Sequence, residues 1–118
     1  DALPISQLGA ADIVLFVAVR ADTVVGYVYA GIEPESWKEL RGPAGFIHDI
    51  IVEPEVRGHG VARRLLAAAS AWLEQRGAPR VMLWTAEKNI GARRLFEGLG
   101  FRATMIEMTR ESGEPIPE

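Results

Sequence analysis

The residues with the clearest chemistry form a glycine turn, Arg57-Gly-His-Gly60, which precedes a segment with apolar residues at helical spacing. Glycine has no Cβ, so the backbone can turn tightly and approach a ligand closely. The first amides of a helix have no intrahelical acceptor, and the helix dipole places partial positive charge beside them. Such a turn suits an anion, and the guanidinium groups of Arg57, Arg63 and Arg64 suit phosphate. The pattern predicts a phosphate site, although a tight strand-to-helix turn would by itself explain the glycines.

Two better-known phosphate signatures do not fit this turn. No Gly-Lys-Ser/Thr follows it, so it is not a P-loop. Arg63 stands where a dinucleotide fingerprint needs its third glycine. A nucleotide-phosphate binder of another kind remains an alternative.

Composition narrows the class of protein. The chain has 118 residues, which fits one domain (residues 1–118), and its 48% hydrophobic and 25% charged residues are typical of a soluble globular protein. A net charge of −3 argues against nucleic acid as a partner. The absence of cysteine and the presence of only two histidines argue against a metal centre. No long apolar segment or signal segment is present, so we expect no membrane association and a cytoplasmic location.

The periodicity predicts a mixed α/β sheet in the order β-β-β-α-β-α-β, with helices on its faces. A hairpin comes first, with Gly26 as a bulge or a point of close approach. One helical turn is expected around Ser36 to Leu40. A strand, helix and strand then form a parallel crossover, and Asn89 caps a second helix. The predicted strands are Ile13–Val19, Val24–Ile32, Phe46–Val52, Val81–Thr85 and Phe101–Thr109, and the predicted helices are 60–76 and 90–100.

Two motifs in this order resemble those of the GNAT superfamily of acetyl-CoA-dependent N-acetyltransferases. Arg57-x-x-Gly60-x-Ala62 matches the start of the family's central helix, and Val52-x-Pro54 precedes it at the usual spacing. Asn89-x-x-Ala92-x-x-Leu95-Phe96-x-x-x-Gly100-Phe101 resembles the second motif. The resemblance implies a GNAT-like fold, with an antiparallel hairpin, a βαβ crossover and strands that splay around the coenzyme.

The resemblance also implies a site for acetyl-CoA as cosubstrate, without a metal. The amides of the turn and helix start would hold the pyrophosphate, the edge of the strand near Ile50 and Val52 would pair with the pantetheine arm, and Asn89 would face that arm. The implied coenzyme-binding residues are Ile50, Val52, Arg57, Gly58, His59, Gly60, Val61, Ala62, Arg63, Asn89 and Phe96.

The implied reaction is transfer of the acetyl group to a primary amine of a small molecule or peptide by direct attack. His48 is one candidate base, because an unperturbed imidazole has a pKa near 6.5 and family members commonly have a histidine or glutamate on this strand. Alternation predicts that His48 shares a face with Ile50 and Val52. Glu33 is the other candidate, as the base or as an ammonium anchor. A hydrogen-bonded structural role for His48 stays open.

Two departures from the family pattern keep an alternative open. Phe96 occupies the position of a tyrosine that is proposed to protonate the departing thiolate. Water, Tyr27 or Tyr29 would then supply the proton, or the thiolate would leave unassisted. Only twelve residues precede Ile13, where the family has a strand and one or two helices, so the N-terminal elements are expected to be shortened. A homodimer would let a neighbouring subunit close the cleft. The alternative function is a catalytically silent acyl-CoA-binding module.

Overall fold

Five strands form one sheet in the computed structural model, which describes residues 5–9, 11–38 and 41–118. The strands lie side by side in chain order; the first four are antiparallel and the fifth runs parallel to the fourth. Their bounds are Ile5–Gly9 (β1), Ile13–Arg20 (β2), Thr23–Glu33 (β3), Ala44–Val52 (β4) and Val81–Leu83 (β5). The helices are Val61–Gln75 (α1) and Ile90–Gly98 (α2), and a short 3₁₀ turn, Pro54–Val56, lies between β4 and α1.

The core lies on one face of this sheet, under α1. Alternate residues of β2 are buried there, Val14, Phe16 and Ala18, as a strand with one buried face requires. The apolar stripe of α1 covers them, and Phe96 of α2 joins the same cluster. The helices therefore contribute to one buried face, and the opposite face of the sheet is more exposed, with Tyr29 37% and Ile51 49% exposed.

Glycines mark both ends of α1, as the sequence predicts. Gly60 at the start has φ of 77°, and Gly77 just beyond the end has φ of 84°, a left-handed conformation that glycine adopts without a Cβ penalty. The Gly77 N–H donates to Glu74 O and so helps to close the last turn. At α2, the Ala92 N–H donates to Asn89 Oδ1 at 3.1 Å, so Asn89 is the predicted N-cap.

The predicted hairpin is also confirmed. Val25 is the extra residue of a β-bulge in β3, opposite Ala18 and Val19. Its neighbour Gly26 is a point of close approach, because a Cβ there would lie 3.0 Å from Ile51 O. The bulge and the close approach are therefore adjacent.

Three expectations about elements were wrong. The segment 101–109 forms no strand, although its sequence is strand-like. β1, which the sequence did not predict, pairs with β2 across a short connection, so the sheet begins one strand earlier. Ser36 and Arg41 form an antiparallel bridge instead of bounding a helical turn; Glu39 and Leu40 of the predicted turn lie outside the described residues.

Among the described residues, no helix is both long enough and apolar enough to cross a membrane.

Candidate active site

A β-bulge at His48 shapes the exposed face of β4. Tyr29 pairs with Asp49 and Ala30 pairs with Ile47, which leaves His48 as the extra residue between them. A bulge interrupts the alternation of faces and redirects the side chain. The expectation that His48 shares a face with Ile50 and Val52 is therefore wrong.

Ring contacts define the face on which His48 lies. Its ring stacks on Phe46 with centroids 5.2 Å apart and lies 5.5 Å from the Tyr29 ring. Ile50 and Val52 pack instead against the core, on the α1 side. Because directly paired residues share a face, Asp49 lies on the same exposed face as Tyr29 and hence as His48.

Glu33 and His48 contact each other at a cavity of about 320 Å³. Glu33 Oε1 lies 2.8 Å from His48 Nε2, and both side chains are about one-third exposed (34% and 32%). Glu33 is the last residue of β3, and His48 is the bulge residue of β4. The cavity is lined by Glu33, Arg41, Phe46, Ile47, His48 and Trp84. The two residues that the sequence proposed for proton transfer are thus in contact and border one open cavity.

The contact to Glu33 selects the tautomer of a neutral His48. A carboxylate is an acceptor only, so a neutral imidazole that contacts it through Nε2 carries its proton there. Nδ1 then has the free lone pair. The arrangement can accept a proton at Nδ1 while Glu33 stabilises the resulting imidazolium through Nε2.

A second polar pair, Tyr27 and Asp49, lies on the same exposed face of the sheet. The Tyr27 hydroxyl donates to Asp49 Oδ2 at 2.6 Å. This hydrogen bond is the main cause that raises the pKa of Tyr27 above its usual 10.0, with partial burial and the negative charge of Asp49 acting in the same direction. Asp49 thus holds Tyr27 in its protonated form.

We expect the Asp49→Asn substitution to lower the pKa of Tyr27. In a Tyr29→Phe background Tyr27 is the single tyrosine of the chain, so the absorbance of the phenolate reports on it alone. The titration midpoint should be higher when the carboxylate of Asp49 is present than when the uncharged amide of the variant replaces it. Equal midpoints would contradict the assigned cause.

The same pair predicts the sign of a stability effect. The pKa of Tyr27 is raised in the folded state. The stabilisation of the fold by the Tyr27–Asp49 hydrogen bond is therefore complete below pH 10.0 and is lost as the pH rises through the raised value. The melting temperature of the wild type minus that of Tyr27→Phe should therefore be constant near neutral pH and should decrease above pH 10.0. A difference that grows above that pH would reverse the sign and refute the assignment.

On the other side of β4, the start of α1 presents backbone donors. Gly60 is the N-cap residue and supplies no side-chain cap. Within the described part of the chain, the amides of Gly58, Gly60, Val61, Ala62 and Arg63 have no protein acceptor. A Cβ at Gly58 or Gly60 would have no atom within 4 Å, so the turn borders open space. These donors and this space fit a diphosphate.

The side chains of Arg57, His59 and Arg63 around this turn make different contacts. Arg57 Nε donates to Val52 O at 3.1 Å, so its side chain ties the turn back to the end of β4. Arg63 is exposed and lies beside α2, where a Cβ on Gly98 would be 3.5 Å from its Nη2. The His59 side chain is exposed, and its N–H lies 3.4 Å from Val56 O. Arg57 and Arg63 are thus both exposed, and of their two guanidinium groups only that of Arg57 makes a hydrogen bond among the described residues.

The strands β4 and β5 separate after a short pairing. β5 pairs only with Gly45, Phe46 and Ile47, so the part of β4 from His48 to Val52 is unpaired on that side in the described structure. Ile50 and Val52 lie on this free part. Val52 O, at the end of this free part, accepts a hydrogen bond from Arg57 Nε.

The remaining predicted coenzyme residues belong to α2. The side chain of Asn89 is engaged as the helix cap through its oxygen, which leaves its amide NH₂ as a donor. Phe96 is 8% exposed, and its ring meets Phe101 edge-on at 6.1 Å. Its observed contacts are those of a core residue.

Sequence reasoning missed four residues that line the cavity: Arg41, Phe46, Ile47 and Trp84. Trp84 follows β5 directly, is 71% exposed and meets Phe46 edge-on at 5.5 Å. Arg41 lies 5.7 Å above the Phe46 ring and donates to Pro34 O at 2.8 Å. An aromatic residue at the end of a parallel strand was the available signal for Trp84, whereas only the fold brings Arg41 to the site.

Comparison with known families is consistent with this geometry. The model of the acetyltransferase (GNAT) family matches residues 4–101. The chain therefore belongs to the GNAT acetyltransferase family.

Among characterised sequences, the chain is 38% identical over 93 residues to a mycothiol acetyltransferase of Thermobispora bispora, a match that covers 79% of this chain and 31% of that protein. It is 32% identical over 101 residues to a mycothiol acetyltransferase of Thermomonospora curvata, covering 86% and 32%. The chain thus spans about a third of the length of these relatives.

Among solved structures, the fold is similar to aminoglycoside N-acetyltransferase AAC(6′)-Iy in complex with CoA. The TM-score is 0.77 and the identity is 25%, over 87% of this chain and 78% of that one. A putative acetyl transferase from Pyrococcus furiosus gives a TM-score of 0.74 and 25% identity, over 86% and 67%.

Proposed function

We propose that this protein is an N-acetyltransferase that moves the acetyl group of acetyl-CoA to a primary amine of a small molecule or peptide. The observation that carries the proposal is that two candidate sites, the backbone donors of α1 and the Glu33–His48 pair, lie along the same strand, β4. Open backbone donors lie at the end of β4, and the Glu33–His48 pair lies at its bulge. A donor and an acceptor could thus meet at the unpaired half of β4.

The coenzyme side of the proposal rests on the start of α1. The amides of Gly58 and Gly60 to Arg63 would bind the pyrophosphate, and Arg63 would add a positive charge beside it. Ile50 and Val52 would lie along the pantetheine arm at the free edge of β4. His59, Asn89 and Phe96 remain predicted coenzyme neighbours, with Asn89 offering its amide NH₂.

The acceptor side rests on the cavity next to His48. Its lining combines the carboxylate of Glu33 with the exposed ring of Trp84, which can hold an alkylammonium group by charge and by cation–π contact. The ring of Phe46 is already covered by His48 and Arg41. The mycothiol and aminoglycoside acetyltransferases among the similar proteins support a small-molecule amine as the acceptor.

His48 is the base in this proposal, and Glu33 positions it. Removing a proton from an alkylammonium of pKa about 10 costs roughly 4 kcal/mol at pH 7, so a base is useful. His48 Nδ1 accepts that proton, directly or through water, while Glu33 stabilises the charge that appears on the ring. The neutral amine forms the new C–N bond at the thioester carbonyl, its nitrogen loses a second proton to water, the C–S bond breaks, and coenzyme A leaves as the thiolate.

The departing thiolate takes its proton from water in this scheme. Phe96 has no hydroxyl, and the Tyr27 hydroxyl donates to Asp49. The ring of Tyr29 lies beside His48, and this scheme does not use Tyr29 as the acid. A free thiolate of coenzyme A is stable enough in water to leave without a protein acid at alkaline pH.

Calorimetry with acetyl-CoA, followed by a thiol-release assay with a panel of amines, tests the proposal. We expect binding and amine-dependent release. Binding without release with any amine would instead support a silent acyl-CoA-binding module. Competition by ATP as strong as that by coenzyme A would favour a nucleotide-phosphate binder.

A further inference from the structure

The exposed face of the sheet carries a second carboxylate beside the candidate base His48. The bulge makes His48 an extra residue, so His48 and Asp49, its neighbour in the chain, lie on the same face. Consecutive Cα atoms are only about 3.8 Å apart. Glu33 contacts His48 Nε2 from β3. Two carboxylates therefore lie near one imidazole, and the reaction as proposed uses only that of Glu33.

Asp49 lies beside two tyrosines of β3. It pairs directly with Tyr29, so the Cβ atoms of the two residues are about 4.5–5.5 Å apart. The hydroxyl of Tyr27, two residues earlier on the same face, donates to Asp49 Oδ2 at 2.6 Å. A carboxylate accepts several hydrogen bonds, so the exposed Asp49 can accept more than this one.

The groups around Asp49 repeat the combination found in the acceptor cavity. The cavity combines the carboxylate of Glu33 with the exposed ring of Trp84. The second position combines the carboxylate of Asp49 with the ring of Tyr29, which is 37% exposed. A carboxylate attracts a cation by its charge, and an aromatic face attracts it by its quadrupole. One face of the sheet therefore has two positions that suit an ammonium group.

Gly31 keeps the surface between the two positions open. Side chains alternate along β3, so residue 31 lies on the same face as Tyr29 and Glu33, and it has no side chain. A Cβ there would lie 3.7 Å from His48 Nε2, so Gly31 borders the imidazole. The four-residue step from Tyr29 to Glu33 spans about 13 Å of strand. One flexible molecule can therefore reach from the cavity to Asp49.

We propose that Asp49 is a specificity-determining residue that binds a second cationic group of the acceptor, and that the preferred acceptor is a diamine. This inference rests on the proposed function, in which the reacting amine lies at His48. The second amine does not react; it is an ammonium group near neutral pH and lies at Asp49 against the ring of Tyr29. A monoamine of the same length makes only the contacts of the cavity.

The preference for a diamine is expected to be moderate, because Asp49 is exposed. One charge-assisted hydrogen bond at an exposed carboxylate should favour the diamine by about five- to tenfold. Added salt should reduce this preference, because it screens charges at the surface.

Titration calorimetry with matched pairs of amines, in the presence of coenzyme A, tests the proposal without requiring turnover. Each α,ω-diamine is compared with the monoamine of the same chain length, and the panel covers nitrogen separations up to about 13 Å. We expect the wild type to bind the best diamine about five- to tenfold more tightly than its monoamine at low salt. Equal affinities across the panel, or no binding of any diamine, overturn the proposal.

Two variants show whether the preference belongs to Asp49. Asp49→Asn removes the charge but keeps an oxygen that can accept from the Tyr27 hydroxyl, and the preference for the diamine should disappear. The matched control, Glu74→Gln, removes an equal charge from an exposed residue of α1, which covers the other face of the sheet, and should keep the preference. A preference that persists in Asp49→Asn, or that Glu74→Gln loses to the same extent, overturns the proposal.

Thiol release separates a failure of this proposal from a failure of the proposed function. A diamine that binds preferentially but releases no thiol from acetyl-CoA would contradict acetyl transfer and would still support the second cation position. Thiol release with the same KM for each diamine and its monoamine would support acetyl transfer and overturn the role of Asp49.

Discussion

Replacing Gly60 with tryptophan is expected to abolish binding of coenzyme A. The Gly60 Cα borders open space beside the unpartnered amides of α1, so an indole there would cover the donors without colliding with the protein. Each charge-assisted hydrogen bond contributes about 1.5–3 kcal/mol. Loss of two of them raises the dissociation constant at least about 100-fold. Titration calorimetry with coenzyme A measures the change.

Gly77→Trp is the matched control for this substitution. Gly77 lies at the other end of the same helix, has φ of 84° against 77° for Gly60, and also has no atom within 4 Å of an added Cβ. Both variants therefore impose similar backbone strain, about 1–2 kcal/mol. Only the Gly60 variant should lose the ligand. Wild-type affinity in Gly60→Trp would rule out the diphosphate site at this turn.

Replacing His48 with alanine is expected to lower the rate of acetyl transfer by about 10²–10⁴-fold near neutral pH, the usual range for a general base. The loss should shrink as the pH approaches about 10, because the acceptor amine is then increasingly free without a base. Thiol release measured from about pH 7 to about pH 10 with one amine gives this profile. A constant ratio to wild type across that range would remove His48 as the base.

Two further variants show whether the effect belongs to the Glu33–His48 pair. His59→Ala removes the other histidine, whose side chain is exposed in the glycine turn, and should leave the pH profile unchanged. Glu33→Gln keeps the size of the side chain but removes the negative charge 2.8 Å from His48 Nε2. It should lower the rate less than His48→Ala while leaving coenzyme affinity intact. An undiminished rate would assign Glu33 a structural role.

Short-range signals predicted the central part of the fold. Apolar spacing and a glycine at each end located α1, and Asn89 located the cap of α2. The two ends were not predictable in the same way. β1 is five residues long and its place depends on pairing with β2, while the strand-like segment 101–109 pairs with no strand of the described sheet, so its local propensity alone does not make it a strand.

The sequence by itself determined the open backbone donors on which the proposed coenzyme site rests, because the donors of a helix start and the freedom of two glycines are local properties of the backbone. Only the tertiary structure decided the cavity that we propose for the acceptor. One extra residue at His48 moves its ring to the face opposite the one that alternation predicts. The contacts of His48 with Glu33 and of Trp84 with Phe46 join residues far apart in the chain. Their meeting depends on strand register and on the separation of β4 from β5, which no local pattern encodes.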